Sequence, residues 1–207
     1  MDERAQLRAY YEREAELGTR GAMTGRRAAL RTRVVDRLVA EHCASVIDVG
    51  AGPGSDAGEF TAVGLDYTAV DLAHANGRRA RIAGYDFLQA SAMSLPVRAD
   101  AFDAAWSMST LMHLAEPDAV RGVDELRRVV RPGGLCVLGI WGREHEERIE
   151  ASNDVVGLPR TFYLRSLRRN REILTALGDV ESVEHWTAAS AEWDYQVFWV
   201  RTADPGG

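Results

Sequence analysis

Five short apolar runs, most of them separated by helical stretches, then two more runs with little between them, restrict this chain more than any single motif. The five are SVIDV (45–49), DYTAVD (66–71), DFLQA (86–90), FDAAWSM (102–108) and LCVLGIW (135–141). Helical patterning starts near Asp56 and recurs over 73–82 and 117–131. Runs this apolar belong to strands covered on both faces, which predicts a mostly parallel sheet between two layers of helices. After a helix over 166–177 the rhythm breaks. DVESVEHW (179–186) and DYQVFWVR (194–201) predict an antiparallel hairpin that completes the sheet. The expected class is α/β, with a seven-stranded mixed sheet.

Two further helical patterns open the chain. Residues 2–17 carry Leu7, Tyr10, Tyr11 and Leu17, and residues 26–42 carry Leu30, Val34, Val35, Leu38 and Val39. They predict an N-terminal helical cap over 1–44 in front of a core over 45–203, one domain overall. A chain of 207 residues suits one sizeable core.

The first core strand runs into VIDVGAGPG (46–54), where Gly50, Gly52 and Gly54 alternate. In open α/β sheets ligands sit outside the carboxyl ends of the strands, and glycine lets a backbone approach them closely. A tight turn accounts for one glycine but not three. A dinucleotide loop, G-x-G-x-x-G, needs glycine at position 55, where this chain has Ser55, so a dehydrogenase reading is disfavoured. Asp71 ends the second strand, 21 positions after Gly50. A carboxylate there accepts the ribose hydroxyls of an adenosine-containing ligand, and it also suits the cap of the helix that follows.

Charge and composition exclude other classes. The net charge of −6 disfavours nucleic acid, because phosphate binding needs a basic face. All 25 basic residues are arginine, which rules out Schiff-base and P-loop lysine chemistry. The charged start MDERAQLRAYYERE and the lack of an 18-residue apolar run argue against a signal peptide or membrane span. Cys43 and Cys136 lack metal-ligand spacing and read as reduced thiols, so a cytoplasmic protein without a metal is expected.

VIDVGAGPG, AVDLA, SAMSLPVRADAFDAAWS and LRRVVRPGGLCVLGIW, in this order and spacing, resemble the class I S-adenosylmethionine-dependent methyltransferases. The resemblance runs from Val46 to Trp141 and implies a Rossmann-like fold, with S-adenosyl-L-methionine as cofactor and S-adenosyl-L-homocysteine as product. It implies that Asp48 and the loop Gly50, Ala51, Gly52 and Gly54 hold the methionine part. Asp71 would take the ribose hydroxyls, and Leu72 would flank the adenine. Where family members commonly place an acid for the adenine amino group, this chain has Ser91, followed by Ala92 and Met93. Ser107 falls where cofactor faces substrate. YYEREAELGTR with GRRAALRTR resembles the two-helix cap of a subset of the family, making Tyr11, Arg20 and Arg31 candidates for the cofactor carboxylate or the substrate.

Methyl transfer needs alignment and exclusion of water, plus a base where the acceptor carries a proton. His113, in STLMHL beyond the fourth strand, is the best-placed base of the five histidines. His74 opens a helix beyond Asp71, while His42, His145 and His185 are explained by solvation. Aromatic residues gather in the last third of the chain. Segment 142–162 is long for a connection and is expected to be a substrate lid, with Trp141 and Tyr163 in the acceptor pocket. The expected function is methylation of oxygen or nitrogen on a small organic molecule, of the natural-product tailoring kind. The alternative is a catalytically silent cofactor-binding subunit. An open sheet edge or the N-terminal helices offer surfaces for a homodimer.

Overall fold

The computed structural model describes residues 2–19, 25–152, 155–187 and 193–203. Seven strands form one sheet: β1 (Ser45–Val49), β2 (Asp66–Asp71), β3 (Asp86–Gln89), β4 (Phe102–Met108), β5 (Val130–Gly142), β8 (Gly178–Thr187) and β9 (Asp194–Thr202). Their order across the sheet is β3-β2-β1-β4-β5-β9-β8. The first five are mutually parallel, and β9 runs antiparallel to both β5 and β8. This is the predicted mixed sheet with its terminal hairpin. The strand order reverses between β1 and β4, so a crevice opens outside their carboxyl ends.

Side-chain alternation sends successive residues to opposite helical layers. Ile47, Leu138 and Phe198 join one core with Leu126 and Leu174, from helices α5 (Glu116–Val129) and α6 (Leu167–Leu174). Val46, Val137 and Val197 join the other, with Leu38 of α2 (Arg26–Ala40) and Phe60 of α3 (Ala57–Ala62). Trp106, fully buried on β4, packs edge-on against Phe60 and anchors that second layer.

Two expectations are corrected. The helix predicted over 117–131 ends at Val129, and β5 begins at Val130 instead of 135. Arg131 precedes Pro132, and the proline ring disfavours helical backbone at the preceding residue. The register shift between Phe102 and Ala104 absorbs the extra residues of the Pro-Gly-Gly stretch. The second correction concerns 142–162, where the sequence reading placed a long connection and no strand. It contains an antiparallel hairpin's first strand β6 (Glu147–Ser152) and most of its second, β7 (Pro159–Leu164). Its outward residues are charged and its inward ones few (Ile149, Ala151, Phe162), so no apolar run announced it.

Helix α1 (Glu3–Leu17) lies against this hairpin and against α4 (His74–Ile82). Asp2 caps α1 through Ala5 N. The start of α4 has no side-chain cap of its own, because Ala73 occupies that position. Glu12 of α1 supplies it, accepting from His74 N at 2.6 Å and Ala75 N at 2.7 Å. A carboxylate at a helix N-terminus satisfies open donors and complements the dipole. Glu3 fixes the other end of α1 by accepting from Tyr163 Oη and Arg148 Nη2. These hydrogen bonds hold the Glu3 carboxyl below the usual carboxylate range.

Candidate cofactor and acceptor site

The glycine loop is fastened to the neighbouring strand before any ligand is considered. Gly50 N and Ala51 N both donate to the Val70 carbonyl, at 2.8 and 3.0 Å. Gly50, Gly52 and Gly54 all have positive φ, which the alternating pattern reflects. Gly50 has a second reason to lack a side chain: a Cβ there would collide with Thr110 Oγ1. Thr110 and Ser107 both donate to the Val49 carbonyl, at 3.1 and 2.8 Å, and so tie the end of β4 to the end of β1. Close packing within the chain therefore accounts for part of what the sequence pattern assigned to a ligand.

Asp71 stands at the centre of this arrangement. Its Oδ2 accepts from Gly52 N at 2.9 Å, and its Oδ1 accepts from Ala73 N at 2.9 Å and Asn76 Nδ2 at 3.1 Å. A carboxylate offers about four lone-pair sites, so capacity for a ligand hydroxyl remains. Both readings of Asp71, loop fastener and hydroxyl acceptor, describe one half-buried side chain on the wall of a cleft.

That cleft runs across the carboxyl ends of β1, β2, β3 and β4. Gly50, Asp71, Leu72, Ser91, Ala92 and Met93 of the predicted set line it, with Val70 and Ala90. Ser91 is buried and accepts from Met93 N at 3.3 Å, closing the turn after β3. The cleft continues past Met108, Ser109 and Thr110 to Tyr11 and His113, with Glu3, Arg4 and Leu7 of α1 along the same wall. An apolar slot beside the Asp71 carboxylate, next to an open-backbone loop, fits an aromatic base, a sugar diol and a polar chain in that order. The residues present thus fit an adenosine-bearing amino acid.

His113, in a 3-10 turn (Leu111–His113), is 7% exposed. Its Nδ1 lies 2.7 Å from the Thr161 carbonyl and its Nε2 lies 2.8 Å from Tyr11 Oη. Arg160 Nη1 donates to that same phenolic oxygen at 3.0 Å. Tyr11 and His113, which the sequence placed in separate roles, therefore meet.

Other predicted residues lie elsewhere. Ser107 is buried at the Val49 carbonyl. Arg31 is buried, donating to Asp56 at 2.8 Å and to Glu59, and does not line the cleft. Trp141 packs on Tyr195 and Trp193, and Tyr163 reaches Glu3; neither lines the cleft itself. Arg20 lies outside the described residues. Sequence reasoning missed Ser109 and Thr110. Ser109 has φ of 61°, a left-handed backbone that nothing in its local sequence announces. Among the described residues, no group of three or more His, Cys, Asp or Glu is placed to hold a metal. No helix there is long and apolar enough to cross a membrane.

Asp48 sits beneath the loop, 2% exposed, and accepts from Tyr67 Oη at 2.6 Å. Burial, and then the negative charge of Asp56, push its carboxyl up to about 8. Unfolded, it would titrate near ~3.9, so the native state holds a proton the unfolded chain has lost. Its contribution to stability is fully present below pH ~4 and is lost as pH rises through about 8. Asp48→Asn is expected to flatten that decline, raising the thermal midpoint above wild type at alkaline pH. Parallel pH profiles for the two proteins would contradict a protonated Asp48.

Comparison with known proteins agrees with this geometry. The family described as "Methyltransferase domain" matches residues 47–138. An uncharacterized methyltransferase of Mycolicibacterium vanbaalenii is 38% identical over 103 residues, covering 47% of this chain and 40% of that protein. The chain thus spans well under half the length of that curated relative. Burkholderia thailandensis 1,6-didemethyltoxoflavin-N1-methyltransferase, solved with 1,6-didemethyltoxoflavin and S-adenosylhomocysteine, shares the fold with a TM-score of 0.71. It is 21% identical, with 97% of this chain and 88% of that chain covered. The [4+2]-cyclase SpnF shares it with a TM-score of 0.69 at 21% identity, with 95% of each chain covered. Residues 47–138 carry a methyltransferase domain, and the motif order with the sheet and its terminal hairpin supports a class I S-adenosylmethionine-dependent methyltransferase.

Proposed function

We propose that the protein methylates an oxygen or nitrogen of a small organic molecule, using S-adenosyl-L-methionine, in natural-product biosynthesis. One observation carries the reading: a single cleft joins Gly50, at the head of the glycine loop, and Asp71 to the Tyr11–His113 pair. The cofactor supplies, when bound, an electrophilic methyl group on a sulfonium. Asp71 holds the ribose hydroxyls, Leu72, Ala92 and Met93 flank the adenine, and Ser91 stands at its edge. The backbone of Gly50, Ala51, Gly52 and Gly54, with Asp48 beneath, seats the amino-acid end, which Tyr11 approaches from the cap; Arg20 is the sequence's further candidate for its carboxylate. Ser107 fixes the strand ends where donor and acceptor face each other. His113 removes the acceptor proton, and α1 with the β6–β7 hairpin excludes water. Trp141 and Tyr163 support the acceptor wall. The toxoflavin enzyme's small heteroaromatic ligand supports an acceptor of similar size. The protein acts in the cytoplasm, without nucleic acid, and a homodimer is in keeping with its open sheet edge.

A second reading has its own support. SpnF is a cyclase on this fold, so a binding subunit without transfer activity is the alternative. Incubating the protein with methyl-labelled S-adenosylmethionine and extracts or panels of phenols, alcohols and amines, followed by mass spectrometry, separates the two. The proposal predicts a labelled O- or N-methyl product. Binding without a product from any acceptor favours the silent subunit.

A further inference from the structure

Arg160, Tyr11, His113 and the Thr161 carbonyl form one row of hydrogen bonds at the end of the cleft. The Thr161 carbonyl can only accept, so His113 Nδ1 must be the donor across their 2.7 Å contact. In the neutral ring Nε2 is then an acceptor, and the Tyr11 hydroxyl donates to it at 2.8 Å. The phenolic oxygen in turn receives an N–H from Arg160 at 3.0 Å. The direction of these three hydrogen bonds is thereby assigned. The imidazole draws on the phenolic proton while the guanidinium stabilises negative charge on the oxygen.

Arg160 is held for this task by rings. Its guanidinium carbon lies 4.5 Å from the centre of Tyr10, 4.9 Å from Phe162 and 5.8 Å from Tyr11. Tyr10 is fully buried and Phe162 is 4% exposed. Phe162 also packs at 4.8 Å on the His113 ring. Among the described residues no carboxylate pairs with Arg160, although acids pair with many of the chain's other arginines. A guanidinium stacked on aromatic faces keeps its charge unneutralised and its N–H edge aimed. Here that edge points at the phenol.

Resting on the methyltransferase reading, we propose that Tyr11 is the group that touches the acceptor, with His113 behind it and Arg160 as a positioning residue. This moves Tyr11 from the cofactor carboxylate to the acceptor. The X–H bond of the acceptor breaks and its proton passes to Tyr11 Oη as the phenolic proton passes to His113 Nε2. The electron pair left on X forms the bond to the methyl carbon, and the C–S pair stays on sulfur. One imidazolium is produced, and it returns its proton to solvent. The acceptor class follows: a hydroxyl, phenol or N–H, and not a thioether or tertiary amine, which has no proton to give up.

The test needs no acceptor at first. Nitrogen-15 histidine NMR on the full chain saturated with S-adenosylhomocysteine is expected to show His113 as the neutral Nδ1–H tautomer at pH 7. The Nε2–H tautomer, or imidazolium, would overturn the relay, since Nε2 could not then take the phenolic proton. With an acceptor from the screen, Tyr11→Phe is expected to lower kcat by roughly 10²–10³. Arg160→Gln should lower kcat about 10-fold and displace the acid limb of the pH–rate profile, with KM little changed. Arg160→Lys should restore part of that loss. Full kcat in Tyr11→Phe, or an unmoved pH profile in Arg160→Gln, would also overturn it. If S-adenosylhomocysteine does not bind, the underlying reading fails; if it binds and the tautomer is wrong, only the relay fails.

Discussion

Asp71→Ala is expected to lower affinity for S-adenosylhomocysteine by about 10–100-fold, the loss of one charge-assisted hydrogen bond at roughly 1.5–3 kcal/mol. The same change frees Gly52 N, Ala73 N and Asn76 Nδ2, so the ligand-free protein should also lose stability. Those effects must be separated. Asp71→Asn retains an oxygen for part of the backbone set but loses the charge and presents an NH2 group to the other donors. It should therefore fold with a lowered thermal midpoint and still lose most of the affinity. If Asp71→Asn bound as tightly as wild type, Asp71 would be a fastener of the loop and nothing more.

The second large effect is on turnover. His113→Ala is expected to reduce kcat by about 10²–10⁴, the range for removing a general base. It also leaves the Thr161 carbonyl without its donor in a buried site, so a folding defect could imitate a catalytic one. His113→Asn resolves this, because its Nδ2 sits near the position of Nδ1 and can still donate to Thr161, while no base remains. Both variants should be inactive, with S-adenosylhomocysteine affinity close to wild type. Full activity of either across pH 6–9 would remove His113 from the chemistry.

The succession of strands along the chain, the terminal hairpin and the glycine loop were legible because each rests on a local signal. Apolar runs specify buried strands, and positive φ calls for glycine. Asp71 was legible from its distance to Gly50. The β6–β7 hairpin was not, because β6 is largely exposed and charged, β7 is only six residues long, and α1, which packs on β7, is far away in sequence. The meeting of Tyr11, His113 and Arg160 was also hidden. Their contacts span 102 and 149 residues, and no periodicity records a contact of that length. Thr110 shows the reverse failure. The pattern assigned all three glycines to a ligand, whereas Gly50 is also required by a threonine 60 positions later.

One cleft is expected to receive one kind of ligand, and isothermal titration with S-adenosylhomocysteine, with NAD as the comparison, tests this most directly. Micromolar binding of the former at one site, with no heat from the latter, is the predicted result. Absence of S-adenosylhomocysteine binding, or equal affinity for NAD, would contradict it.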